Sequence, residues 1–285
     1  LCAITSNEVE DSFLNFSRVV SIFEENPNLI QDIPKQYIKS LGNLFYYYIG
    51  SGDFDKLFEL IEKMRSLKGQ AGFNRVDIKM RIFLTTHYFE LLAYERMGDF
   101  SKALNMMEGI NDQLNSFGEK LTKEDEVVFD HMFANIYFGA GKYREALRRI
   151  NNVLNDNESN LRQDIYSFSK LFNLVIHFEL ENFDLLDYLI KSTERYYVKK
   201  KKDAKVGYEF EVEFIKHFKK LIKAVRNLND KSEAFLEMRN GLRKLLKNED
   251  ERVALEYFDY ITWVEANIQN RPYSELKRMQ HMVVA

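Results

Sequence analysis

The chain holds 285 residues, 45% of them apolar and 30% charged, with a formal net charge of −3. That composition supports a large buried core and excludes disorder, and its near-neutral balance excludes the strongly basic character of a dedicated nucleic-acid binder. With 3 prolines and 12 glycines, it is too poor in turn residues for a sandwich or barrel that reverses every 8 to 12 positions or so, so an all-α fold is expected.

In chain order, the first predicted element is an amphipathic helix over 8–25, with Phe13, Phe16, Val19, Val20 and Phe23 on one face, stopping at Asn26-Pro27. It reads as the second helix of a preceding unit. The rest repeats a short pattern: Gly52-Asp-Phe54, Gly98-Asp-Phe100, Gly141-Lys-Tyr143 and Glu181-Asn-Phe183 are each a small polar turn, an aromatic and a new helix. The aromatics stand 46, 43 and 40 residues apart, and the same period reaches Lys231 after 48 residues and Tyr273 after 42. Before each turn lies a helical stripe such as Phe129, Met132, Phe133, Ile136 and Tyr137; after it lies another, such as Ala146, Leu147, Ile150, Val153 and Leu154. Units are predicted near 35–70, 76–118, 122–157, 160–200, 208–246 and 249–285. In the turns, glycine or asparagine supplies the left-handed residue that ends one helix, and Asp or Ser caps the next.

The pattern resembles the tetratricopeptide repeat family. Tyr137, Gly141, Tyr143 and Ala146, with Ala134 at the small site of the first helix, match its repeat; Tyr94, Gly98, Phe100 and Ala103 match nearly as well, as do Tyr48, Gly52 and Phe54. Elsewhere the small sites carry Leu57, Leu186 and Leu276, or Phe45, Leu91, Leu174, Ile222 and Val264, and the period exceeds the family's ~34 residues. The resemblance implies a right-handed α-solenoid of about six helical hairpins whose first helices line a concave groove. It further implies a non-catalytic scaffold that binds protein or peptide there. The alternative to a scaffold is a peptide-responsive sensor or regulatory module of a longer protein, and the chain also reads as an excised piece of a longer solenoid.

Lys216, Lys219, Lys220, Lys223 and Arg226 recur at three- and four-residue steps opposite the apolar Ile215, Phe218, Leu221, Ile222 and Val225. In the register the resemblance implies, Lys216, Lys219, Lys223, Arg226 and Asn227 face the groove, with His131 and Asn135 at equivalent places in the third unit. Such a row suits an acidic peptide or a C-terminal carboxylate; a solvated helix face is the other reading. The run Lys199 to Lys202, with Arg195 and Lys205, is placed where a helix frays into a loop and complements its C-terminal dipole. The acidic clusters Glu124-Asp125-Glu126 and Glu249-Asp250-Glu251 follow the caps Thr122 and Asn248 and read as helix starts.

No catalytic, cofactor or metal set is predicted. The five histidines lie apart without ligand spacing, and although Glu213 and His217 are four apart, the neighbouring lysines would repel a cation. A single cysteine, Cys2, excludes a disulfide framework and points to a reducing, cytoplasmic setting. The longest uncharged stretch, the 13 residues from Ser40 to Gly52, falls short of the roughly 20 that cross a bilayer. Neither a nucleic-acid nor a membrane partner is expected. Two sequons, at Asn15 and Asn157, are attributed to chance, and the aromatic clusters to packing between helices.

Overall fold

The computed structural model describes residues 6–155, 161–203, 208–227 and 231–284; among them there is no β-strand. No helix there is long and apolar enough to cross a membrane. Cys2, Asn157, Lys205 and the turn at Asn229 lie outside the described residues. Contacts divide the chain into two compact units, centred on Ile4–Leu121 and Thr122–Gln280.

The N-terminal unit holds α1 (Ser6–Glu25), α2 (Pro27–Asp32), α3 (Pro34–Ser51), α4 (Phe54–Ser66), α5 (Val76–Met97) and α6 (Phe100–Phe117). Pro27 and Pro34 open α2 and α3, where a missing N–H costs nothing. The predicted first helix lies against α3: Phe23 meets the Tyr37 ring at 5.4 Å, and the Tyr37 hydroxyl donates to Glu24 Oε1 at 3.1 Å. Next, α3 packs on both α4 and α5, α4 on α5, and α5 on α6. Leu41, Phe45, Leu57, Ile61, Ile82 and Phe89 belong to the shared core.

The C-terminal unit holds α7 (Lys123–Gly139), α8 (Tyr143–Asn155), α9 (Gln163–Glu179), α10 (Phe183–Asp203), α11 (Glu209–Arg226) and α12 (Lys231–Leu245). A 3-10 stretch, Glu249–Glu256, then leads to α13 (Tyr260–Gln269) and α14 (Tyr273–Val284), of which residues up to Gln280 belong to this unit. From α7 to α13 each helix packs on the next, α12 and α13 doing so across the 3-10 stretch between them, and α7 also touches α9, as α3 touches α5 in the other unit.

Each predicted marker, Phe54, Phe100, Tyr143, Phe183, Lys231 and Tyr273, is the first residue of a second helix. Four of the turns share one hydrogen-bond pattern. At Gly98 the amide donates to Glu95 O (3.1 Å) and that of Asp99 to Tyr94 O (2.9 Å); equivalent pairs form at Gly141, Glu181 and Asn270. These four residues adopt φ of 71, 72, 57 and 50°, the left-handed conformation that satisfies the last helical carbonyls. At Glu181 a side chain occupies that conformation, at a cost of about 1 kcal/mol relative to glycine. Asp53 and Asp99 cap the following helices, accepting from Lys56 N and Lys102 N. Of the residues at the predicted small sites, Ala134, Ala146, Leu57, Leu186, Phe45 and Leu174 are completely buried, and Ile222 and Leu276 nearly so, at 3% and 6% exposure.

Thr122 caps α7 as expected, its hydroxyl accepting from Asp125 N at 3.1 Å. The sixth unit departs from expectation. Asn248 caps a 3-10 stretch, accepting from Asp250 N at 3.2 Å, and regular helix resumes only at Tyr260, where Asp259 accepts from Thr262 N at 2.9 Å. The interruption lets the Tyr257 and Phe258 rings turn inward onto α9. The basic run also differs: α10 continues through Asp203, so Lys199 to Lys201 sit on helix, and Lys200 donates to Gln163 Oε1 at 2.7 Å.

Candidate binding surface

The apolar face of α11 fixes its orientation. Phe210, Phe214 and Phe218 are fully buried and meet Tyr260 and Trp263, with Phe214 and Tyr260 centroids 4.9 Å apart and Phe218 and Trp263 6.1 Å apart. The opposite face therefore carries its cations outward, and Lys216, Lys219, Lys220, Lys223, Arg226 and Asn227 are all exposed. Lys216 and the buried His217 share the Glu213 carboxylate at 2.8 and 3.0 Å. Lys219 pairs with Glu194 at 2.6 Å, and Arg226 with Asp187 at 2.5 Å and Phe183 O at 2.6 Å. Both carboxylates lie on α10 seven residues apart, as Lys219 and Arg226 do on α11, so these two cations clamp antiparallel neighbours. On the other flank Lys220 pairs with Glu237 of α12 at 2.6 Å. Lys223 has no ion pair among the described residues, and Asn227 closes α11 through its amide to Lys223 O at 3.1 Å.

The row widens onto α10. Lys191, Arg195 and Lys199 are exposed at four-residue spacing and make no ion pair among the described residues; Arg195 Nε donates to Lys191 O at 3.2 Å. They share α10 with Asp187 and Glu194, the carboxylates that Arg226 and Lys219 of the neighbouring α11 engage. This row could have been found by carrying the predicted helix through the lysine run instead of ending it there.

His131 and Asn135, expected on the groove, are buried, at 7% and 9% exposure. Asn135 Nδ2 donates to His131 O at 3.0 Å, an internal bond between residues one turn apart. Over His131 lie Phe172, at 6.2 Å between centroids, and Tyr257, at 6.0 Å. The reason is that the last hairpin runs beside α9: Tyr257 donates to Asp164 Oδ2 at 2.7 Å, Tyr260 to Phe168 O at 3.3 Å and Trp263 Nε1 to Glu179 Oε1 at 2.7 Å. None of these partners was singled out from sequence, because each joins residues more than eighty positions apart. Burial holds the His131 imidazole down to about 4. Burial alone would raise the Asp164 carboxyl, but hydrogen bonds from Arg162 and Tyr257 bring it down to about 2.

A buried acid, Glu211, stands at the start of α11. Glu251 Oε2 accepts from Phe210 N at 2.8 Å, capping the helix, while burial and then repulsion from Glu251 push Glu211 up to about 7. A carboxyl raised in the folded state contributes stability that is fully present below its unfolded value near 4.5 and is lost as pH rises through 7. Glu211→Gln is therefore expected to stabilise the protein at pH 8 by roughly 1–3 kcal/mol, with the gain vanishing near pH 5. Denaturant unfolding of both proteins at the two pH values checks this; a gain independent of pH would exclude a buried charge as its source. Among the described residues no three His, Cys, Asp or Glu side chains gather as a metal-holding group.

No protein-family model matches the chain, and no curated protein or solved structure matches it.

Proposed function

We propose that the chain is a tetratricopeptide-like α-solenoid acting in the cytoplasm as a scaffold without chemistry of its own, and that it binds an acidic segment or a C-terminal carboxylate of a partner protein on the basic face of α11 and α10. The observation that carries this is the set of exposed cations, Lys223, Lys191, Arg195 and Lys199, to which no carboxylate of the chain is paired among the described residues. Support for the repeat reading comes from the four turns with one bond pattern and from first helices touching first helices in both units. In this reading Lys219 and Arg226 hold α10 and α11 in register while the unpaired cations meet the ligand. A second reading, a regulatory module that responds to a peptide, draws on the interrupted sixth unit.

Fluorescence anisotropy with labelled acidic, carboxylate-terminated and neutral peptides tests the proposal. Acidic peptides should bind, binding should fall with added salt because the face is exposed, and Lys219→Glu/Lys223→Glu should weaken it by about tenfold or more. Lys79→Glu, on the exposed surface of α5, should leave it unchanged. Binding that ignores the double substitution, or no binding at all, would leave the row a solvated helix face.

A further inference from the structure

We propose that residues 249–258 are a displaceable strap over an aromatic face of α7 and α9, and that this face binds a partner segment with two adjacent aromatic side chains, the first a tyrosine. The strap's own Tyr257 and Phe258 show what the face accepts. Tyr257 stacks on Phe168, centroids 4.4 Å apart and planes within 17°, and its hydroxyl donates to Asp164, which Arg162 holds at 2.7 Å. Phe258 stacks on Phe172 at 4.3 Å and meets the edge of Phe138 at 4.9 Å. These receiving groups come from two long helices, whereas the strap is a 3-10 stretch, whose hydrogen bonds have poorer geometry.

Three further observations define how the strap is held. Asp259 belongs to the following helix, which it caps through Thr262 N while pairing with Lys277 at 3.3 Å, so the boundary falls after Phe258. Glu249, Asp250, Arg252 and Glu256 already face solvent, and release gives up the burial of Ala254, Tyr257 and Phe258, the stack of Phe258 on Tyr273 and the bond from Phe210 N to Glu251. Beneath Tyr257, His131 Nε2 is buried with no hydrogen-bond partner among the described residues. The strap covers a polar atom without satisfying it, which reduces its net hold and leaves a group for a ligand to engage. This surface is distinct from the basic face, and the proposal stands without it.

Hydrogen exchange read by mass spectrometry on the full chain, with anisotropy on a labelled, end-blocked peptide of sequence 249–259, tests the strap. Amides of 252–258 should exchange at least about tenfold faster than those of α7 and α9. Tyr257→Ala/Phe258→Ala should bind the peptide about tenfold or more tighter than the parent, in which the tethered strap competes. Because the peptide is acidic, the binding is repeated with Lys219→Glu/Lys223→Glu added, and it should survive, whereas binding through the basic face would not. Should the double alanine variant fail to fold, Tyr257→Phe, which removes only the bond to Asp164, should accelerate exchange in the strap selectively. The proposal is overturned if strap amides exchange together with α7 and α9, if the folded variant binds the peptide no better than the parent, or if Tyr257→Phe speeds no exchange.

Discussion

Trp263→Ala is expected to cost about 3–5 kcal/mol of unfolding free energy. Trp263 is 1% exposed and is surrounded by rings from three other helices: Phe178 of α9 at 5.7 Å, Phe214 and Phe218 of α11 at 6.5 and 6.1 Å, and Phe235 of α12 at 5.6 Å. Truncation leaves a cavity that helices pinned by their own hairpins collapse into only in part. It also removes the donor to Glu179 Oε1, leaving that carboxylate dependent on Asn267 at 3.4 Å and on Tyr143. Trp263→Phe separates the two contributions, since it keeps a ring and loses the N–H, and roughly 1–3 kcal/mol is expected for it. As this is the chain's single tryptophan, unfolding in denaturant is followed by far-ultraviolet circular dichroism. An alanine variant within 1 kcal/mol of the parent, by about the error of the method, would mean that the last hairpin does not rest on α9 in solution.

Lys277→Met is expected to cost a similar amount, about 3–5 kcal/mol, because it strands a buried charge. The Lys277 side chain is 6% exposed and lies 3.3 Å from Asp259 Oδ2, and Asp259 also accepts from Thr262 Oγ1 at 2.6 Å. Burial would raise the Asp259 carboxyl, but the Lys277 ammonium holds it below the usual range. Without that ammonium the folded pKa should rise above the unfolded one. Stability of the variant is then present at low pH and lost as pH rises, so the penalty should shrink from pH 7 towards pH 4. Adding Asp259→Asn should restore part of the loss, since removing both charges abolishes the stranded one. A penalty that stays constant with pH, measured by the same denaturant titrations, would point to lost packing of the lysine stem.

Helix content, hairpin order and the second-helix starts were legible because each is set within five residues along the chain. At Gly98 or Gly141 the amide-to-carbonyl bonds, the left-handed residue and the following aromatic are all local, so spacing alone located them. The same holds for Thr122, whose hydroxyl reaches an amide three residues on. The cation row of α11 was legible as a face for the same reason, since a periodicity of three and four fixes which side chains share a side.

What periodicity leaves open is who stands opposite. Lys219 and Arg226 meet carboxylates 25 and 39 residues away, and nothing local distinguishes them from Lys223, which meets none among the described residues. His131 looks like a groove residue until Tyr257, which hydrogen-bonds a residue 93 positions earlier, is brought over it. The interruption at 257–259 has the same origin, because two aromatic rings gain more by burial against Phe168 and Phe172 than the backbone loses in helical hydrogen bonds. By itself, then, the sequence determined an all-α chain of repeated hairpins and one exposed basic helix face, through interactions that close within a turn or two. Tertiary structure alone decided which cations are neutralised, which first-helix faces are covered and where the last unit breaks, since those outcomes depend on burial and charge pairing between segments far apart in the chain.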